Sequence, residues 1–416
     1  MSKFRQFLSE WLVSLRVMLA LVPMAAVVGS ACAFFLWSLD AVTDVRLLHS
    51  WMIYFLPIGG VVVGFLYHWV GRSAEGGTTS ILDEIHAPGG CGVSRRMAPL
   101  ILFGTLVTHL FGGSAGREGT AVQMGGSLAS GFCRALRLGP AEVRTMLMGG
   151  VAAGFGAVFG TPLAGVVFAM EARTAGTFRY RAVIGCILAA LVGDWTCRAW
   201  GIGHTQYLVA SLTGWPPMLF VKVALAAAGF GLVSRFYCDF SRWLGEWLKR
   251  LVPFAPMRPA LGGVLVIALF FTTGTPDYLG LGVWARDPNA LTIRSFFTSS
   301  EPLPLIWLWK LVFTAITLSS GFKGGEVTPL FFIGAALGHA LAAALGAPLS
   351  LFAALGFVSI FAGATKTPLA CTVMGMELFG VQYGVFLALA CGIAWRVSGG
   401  PGLYRKRMTS AISPPA

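Results

Sequence analysis

Two glutamates lie in glycine-rich breaks between long apolar runs: Glu118 in Gly116-Arg117-Glu118-Gly119-Thr120, and Glu326 in Gly324-Gly325-Glu326-Val327-Thr328. A glycine-rich turn ahead of a helix exposes backbone N–H groups at the positive end of the helix dipole. That makes an anion site without a full positive charge. An ion that must also leave is better served by such a site than by a strong cation. Burial disfavours the charged form of a carboxyl group, so a carboxyl placed there can take up a proton. Ionised, Glu118 competes with an anion for the same N–H groups; neutral, it leaves them open. One side chain can then exchange protons for anions. The competing readings of Glu118 are a salt bridge to Arg117 or a position at a wet helix end. Glu326 either helps to carry protons or is held by Lys323. Val327-Thr328 opens the following apolar helix, with Pro329 near its first turn.

The breaks belong to a longer repeat. Thr161-Pro162-Leu163-Ala164 precedes Met170-Glu171, and Thr367-Pro368-Leu369-Ala370 precedes Met376-Glu377; Gly59-Gly60-Val61 matches Gly262-Gly263-Val264. The offsets are 262 − 59 = 203, 326 − 118 = 208 and 367 − 161 = 206. Three ordered matches at nearly one spacing indicate a duplicated chain whose site lies between the halves. The halves read as residues 1–213 and 214–405, followed by a short cytoplasmic tail, 406–416; Thr213-Gly214-Trp215-Pro216-Pro217 marks the boundary. Glu171 and Glu377, at the ends of apolar helices, read as structural charges.

Composition places these elements in a membrane. The chain has 416 residues, 56% hydrophobic and 11% charged, against about 25% charged in soluble domains. Its apolar runs are continuous rather than alternating, which excludes a β-barrel and leaves helices to satisfy the backbone in lipid. Several runs fall short of the roughly 20 residues a span needs and are broken by Gly or Pro, which points to re-entrant half-helices. The expected fold is an all-α polytopic bundle. The net charge of +13 comes from short basic clusters flanking membrane segments, such as Lys3/Arg5, Arg95/Arg96 and Arg405/Lys406/Arg407. By the positive-inside rule both termini are expected in the cytoplasm, and the partner is a bilayer rather than a nucleic acid. The eight Cys are mostly isolated in apolar runs, and the six His lack metal spacing. No cofactor or metal is expected.

One soluble-enzyme pattern is present. Gly112-Gly113-Ser114-Ala115-Gly116 matches G-x-S-x-G, with His109 as the nearby base. That motif carries chemistry only on a strand–turn–helix with His and acid partners. It supplies a third hypothesis, a membrane hydrolase using Ser114; otherwise it is a glycine turn, and the chain is no enzyme.

At these residues the chain resembles the CLC family of anion channels and proton-coupled exchangers, from about Val17 to Tyr404. Gly116-Arg117-Glu118-Gly119 is similar to the family's G-[K/R]-E-G-P, with Thr120 in place of Pro, and Gly324–Pro329 to its G-G-x-F-x-P. The resemblance implies a CLC-type fold of two inverted repeats, a homodimer with one pathway per subunit, and Glu118 as gating glutamate and proton carrier. The chloride-type G-S-G-I-P is missing; Gly76-Gly77-Thr78-Thr79-Ser80 stands in its place. Gly325-Glu326-Val327-Thr328-Pro329 looks like the fluoride branch's G-E-V-T-P, as does Gly116–Gln123 with Thr120 and Gln123. The implied function is fluoride/proton antiport across a bacterial inner membrane; the alternative is a chloride channel or exchanger of the same fold. The anion-binding set implied is Gly77, Thr78, Thr79, Gly116, Gly119, Gly325, Glu326, Val327, Thr328 and Tyr404. Thr78 and Thr79 are open alternatives for the hydroxyl donor, and Tyr404 is either a ligand or an interfacial tyrosine.

Overall fold

The computed structural model describes residues 2–88, 92–172, 180–211, 214, 216–299 and 304–404. The tail 406–416, and Thr213 and Trp215 at the expected boundary, lie outside the described residues. The first eight helices are α1 (Ser2–Leu48), α2 (Leu56–Trp69), α3 (Gly77–His86), α4 (Met97–Leu110), α5 (Glu118–Leu136), α6 (Pro140–Phe159), α7 (Pro162–Glu171) and α8 (Tyr180–Ala199). The second eight are α9 (Pro217–Leu251), α10 (Arg258–Thr273), α11 (Ser295–Thr298), α12 (Ile306–Ser319), α13 (Val327–Leu345), α14 (Leu349–Thr365), α15 (Pro368–Phe379) and α16 (Gly384–Ser398). No strand is formed among the described residues. Seven helical segments are long and apolar enough to cross a membrane, and five more apolar helices are shorter.

The repeat is visible in the packing. A Cβ at Gly125 would land on the Gly150 carbonyl, so α5 and α6 meet backbone to backbone; Gly334 and Gly356 bring α13 and α14 together in the same way. These contacts need glycine because any side chain would force the helices apart. The halves also touch reciprocally. A Cβ at Gly60 would meet Pro259 at 2.9 Å, and one at Gly263 would meet Pro57 at 2.7 Å. Glu377 accepts the N–H groups of Leu163 (3.0 Å) and Ala164 (2.8 Å) at the start of α7. Glu171 accepts those of Leu369 (3.0 Å) and Ala370 (2.7 Å) at the start of α15. Equivalent residues exchanging bonds in both directions are what a two-fold relation between halves requires. The structural reading of these two glutamates gains a physical content: each carboxylate covers the open N–H groups of the other half's short helix.

The register corrects one expectation. Helices α5 and α13 start at Glu118 and Val327 and each has 19 residues, so the structural offset is 327 − 118 = 209, not 208. Glu326 is therefore the counterpart of Arg117, and the two acids do not occupy equivalent positions. Glu118 is the first residue of its helix, whereas Glu326 is the cap before its own. Matching acid to acid in the sequence shifted the alignment by one.

Candidate functional site

The two glycine-rich breaks are paired with each other. Gly116 N–H donates to the Gly325 carbonyl at 2.6 Å, and Gly325 N–H to the Gly116 carbonyl at 2.7 Å, an isolated antiparallel bridge. There is no room beside it for a side chain. A Cβ at Gly116 would stand 2.9 Å from the Thr328 nitrogen and from Pro329 Cδ; one at Gly119 would stand 3.0 Å from Gly325 Cα. The bridge fixes the N-termini of α5 and α13 against each other.

Glu118 occupies the point where they meet. It is 2% exposed. Its carboxylate accepts the Thr328 N–H at 3.1 Å and the Thr328 hydroxyl at 2.6 and 2.5 Å to its two oxygens. It also accepts the Arg117 N–H at 3.2 Å, with Arg117 Nε 3.6 Å away. The expected alternative, an ion pair with Arg117, is thus present at a long distance, and Thr328 makes the shorter contacts. A carboxylate on the N-terminal N–H and hydroxyl of a helix is in the position an anion would take. Val327 is buried beside it.

The other expected site residues are placed as follows. Glu326 is half-buried and makes no ion pair among the described residues. Lys323 does not hold it, because the Lys323 ammonium stands 3.9 Å over the Tyr67 ring, a cation–π seat that needs no carboxylate. Tyr404 lies beyond α16 but is buried at 8% exposure, its ring 6.4 Å from that of Phe168. The ring faces protein rather than open solvent. Tyr404 is within electrostatic reach of both Glu326 and Glu118. Gly77, Thr78 and Thr79 open α3. Neither hydroxyl bonds to Glu118 or Thr328, so this cluster is not brought into the Glu118 contact. Gly77 has φ +51°, and a Cβ there would sit 3.4 Å from Gln123 Oε1 on α5. Thr120 is tied instead to Thr105, hydroxyl to hydroxyl, at 2.8 Å.

Ser114 cannot act as a nucleophile here. It is fully buried, its hydroxyl is bonded to Thr314 at 2.9 Å, and His109 presents its two ring nitrogens to the carbonyls of Thr105 and Ala115. The base faces backbone rather than serine, and the glycine-turn reading stands.

Tyr207 was not anticipated. It packs on Phe297, Phe357 and Phe379 with ring centroids 5.2–6.2 Å away, within electrostatic reach of Arg117 and Glu118. Nothing in its sequence neighbourhood separates it from other aromatic residues of the bundle.

A family model described as voltage gated chloride channel matches residues 59–399. The chain belongs to the voltage gated chloride channel, or CLC, family. A chloride/fluoride channel protein of Pseudomonas syringae pv. tomato is 43% identical to this CLC chain, covering 97% of it and 89% of the relative. The crystal structure of a CLC-type fluoride/proton antiporter matches with TM-score 0.87 at 33% identity, covering 92% of this chain and 95% of that one. A slow cyanobacterial Cl−/H+ antiporter shares the fold at TM-score 0.81 and 18% identity, over 94% and 96% of the two chains. The fold is the CLC type with two inverted repeats and broken helices. The CLC chain is a multi-pass membrane protein of an ion channel and transporter family, not of an enzyme family.

Proposed function

We propose that this CLC chain is a fluoride/proton antiporter that expels fluoride from a bacterial cell. The observation that carries the reading is the Glu118 carboxylate seated on the Thr328 N–H and hydroxyl. An anion can take that seat only when the carboxylate leaves it, and protonation removes the charge that holds it there. Proton uptake and anion entry are then alternatives at one point. Fluoride is small and tightly hydrated, and compact donors such as Thr328 and the helix N–H groups suit the removal of its water. A cell interior at −100 mV favours anion exit by about 2.3 kcal/mol per charge, and an incoming proton adds its own gradient.

The substrates of two similar proteins support this assignment: the antiporter at 33% identity carries fluoride and protons, and the P. syringae relative is a chloride/fluoride channel protein. The same relative's name also supports chloride transport as the second reading. Against it stands Gly76–Ser80 in place of the chloride-type G-S-G-I-P. Tyr404, Glu326, and Thr78 or Thr79 are assigned to the same anion path. The halves, 1–213 and 214–405, are assigned as repeats in an inner membrane, with cytoplasmic termini, in a homodimer. Large exposed apolar side chains, among them Ile184 (57%), Trp195 (71%) and Val385 (50%), supply surface for lipid and for a second subunit.

The test uses purified protein in liposomes loaded with fluoride or chloride, read with an ion-selective electrode and a pH dye. Fast fluoride efflux with uphill proton uptake is the expected result. Chloride efflux equal to or faster than fluoride efflux overturns the fluoride assignment.

A further inference from the structure

Residues 202–211, between α8 and α9, form no helix and are tied down at both ends. A Cβ at Gly160 would land on the His204 ring, and His204 Nε2 stands 3.7 Å from Asp194 of α8. At the other end Ala210 N–H donates to Ser350 Oγ at 3.0 Å, and the Tyr383 hydroxyl donates to the carbonyls of Val209 (3.2 Å) and Ala210 (3.1 Å). Tyr207 is buried between these ties. Its ring meets Phe297, Phe357 and Phe379, and Phe357 stacks on Phe331 at 3.9 Å. Phe331 lies one turn along α13 from Thr328. On the other side, Gln206 lines an open cavity of about 680 Å³ with Gly203, Thr205, Trp284, Ser295 and Thr298. Tyr207 therefore stands between that cavity and the seat of Glu118. The α9 helix starts at this end and carries Lys249 and Arg250 at its other end, so by the positive-inside rule the cavity faces outward.

Packing accounts for the ring of Tyr207 and not for its hydroxyl. The residue is 9% exposed, and its hydroxyl forms no hydrogen bond among the described residues. A buried tyrosine hydroxyl usually finds a partner, as that of Tyr383 does on the same segment. A phenylalanine would fill the space among three others equally well. The charged groups within electrostatic reach of the hydroxyl are Arg117 and Glu118. The elements packed on the ring, α11, α14 and α15, bring only phenylalanines to it. His204 and Arg198 both face Asp194, at 3.7 and 2.9 Å.

We propose that Tyr207 is a positioning residue for Glu118: its hydroxyl donates to the carboxyl group once protonation has released it from Thr328, and so holds the gate away from the anion's seat. Bonded to Thr328, the carboxylate leaves the phenol without an acceptor. Protonated, the carboxyl no longer has the charge that favours the Thr328 donors, yet its carbonyl oxygen still accepts from a phenol. The side chain then exchanges one partner for the other, and the seat stays open while the anion enters. The proposal rests on Glu118 being the movable gate and does not need the fluoride assignment.

A double-mutant cycle tests it. Fluoride and, separately, chloride are titrated into the purified protein by calorimetry. Glu118→Ala removes the side chain that competes for the seat and is expected to tighten halide binding. Tyr207→Phe keeps the ring and deletes the hydroxyl. With Glu118 present it is expected to raise the halide dissociation constant roughly fivefold, as loss of one hydrogen bond implies. In the Glu118→Ala background it is expected to change nothing, because no carboxyl remains to be held. An equal loss in both backgrounds overturns the proposal, since Tyr207 then acts through packing or on the anion itself. An unchanged dissociation constant with Glu118 present overturns it as well. Both results leave the antiport reading standing. Unchanged halide binding in Glu118→Ala alone instead removes the gate, and the proposal with it.

Discussion

Gly116 and Gly325 hold each other by two short backbone hydrogen bonds, 2.6 and 2.7 Å, in the only β-bridge among the described residues. This pair, rather than either helix, sets where the Glu118 carboxylate meets Thr328. Gly116→Ala would press a Cβ against the Thr328 nitrogen and Pro329 Cδ, both 2.9 Å from it. Overpacking of this kind costs about 1–3 kcal/mol, and here the strain is relieved by moving the N-terminus of α13. Gly116→Ala is expected to lower the melting temperature in detergent and to slow anion efflux sharply. Gly131→Ala serves as control, since a Cβ there would meet nothing within 4 Å.

Glu118→Gln keeps the size of the side chain and removes its charge and its proton exchange. Anion-driven proton uptake is expected to fall to background while the protein stays folded. The amide can still accept from Thr328, so the seat is neither charged nor vacated by protonation. Simultaneous recording of anion efflux and proton uptake in liposomes checks this. Coupling at the wild-type ratio in Glu118→Gln would remove Glu118 from the gate.

Thr328 offers two donors to the same carboxylate, one from its backbone and one from its hydroxyl. Thr328→Val deletes only the second and preserves the β-branched shape. A hydrogen bond to a charged acceptor is worth roughly 1.5–3 kcal/mol, so anion turnover is expected to fall by about one to two orders of magnitude. Thr328→Ser is expected to retain most of it. Equal turnover in Thr328→Val and wild type would place anion recognition on the backbone alone.

Much of this site was legible in the sequence because acids, glycines and Thr in apolar surroundings are conspicuous. Glu118, Gly116, Gly325 and Thr328 were each identifiable, and the structure brings them together. What was not legible was pairing across about 210 residues: that Gly116 bonds Gly325, that Lys323 turns to Tyr67, and that α13 starts one residue later than acid-to-acid matching implies. Such facts are set by how the halves pack, and local patterning carries no record of them. Tyr207 was invisible for the same reason, since an aromatic residue in a bundle is usually core. The identical spacing of Glu171 and Glu377 from their Thr-Pro-Leu-Ala segments was a usable signal for the reciprocal caps.

Those caps give the last prediction. Glu171 covers two N–H groups at the start of α15, and Glu377 two at the start of α7. Glu171→Ala and Glu377→Ala each strip one helix start of its acceptor. Loss of an N-terminal cap costs about 0.5–2 kcal/mol, and a carboxylate that also answers the helix dipole belongs at the upper end. Both variants are expected to lower the melting temperature by similar amounts. Their remaining active fraction is expected to transport with the wild-type proton-to-anion ratio, because neither carboxylate touches Glu118 or Thr328. Because the two caps share no residue, the double variant is expected to lose close to the sum of the single losses. A changed coupling ratio in either single variant would show that its glutamate carries protons rather than covering a helix end.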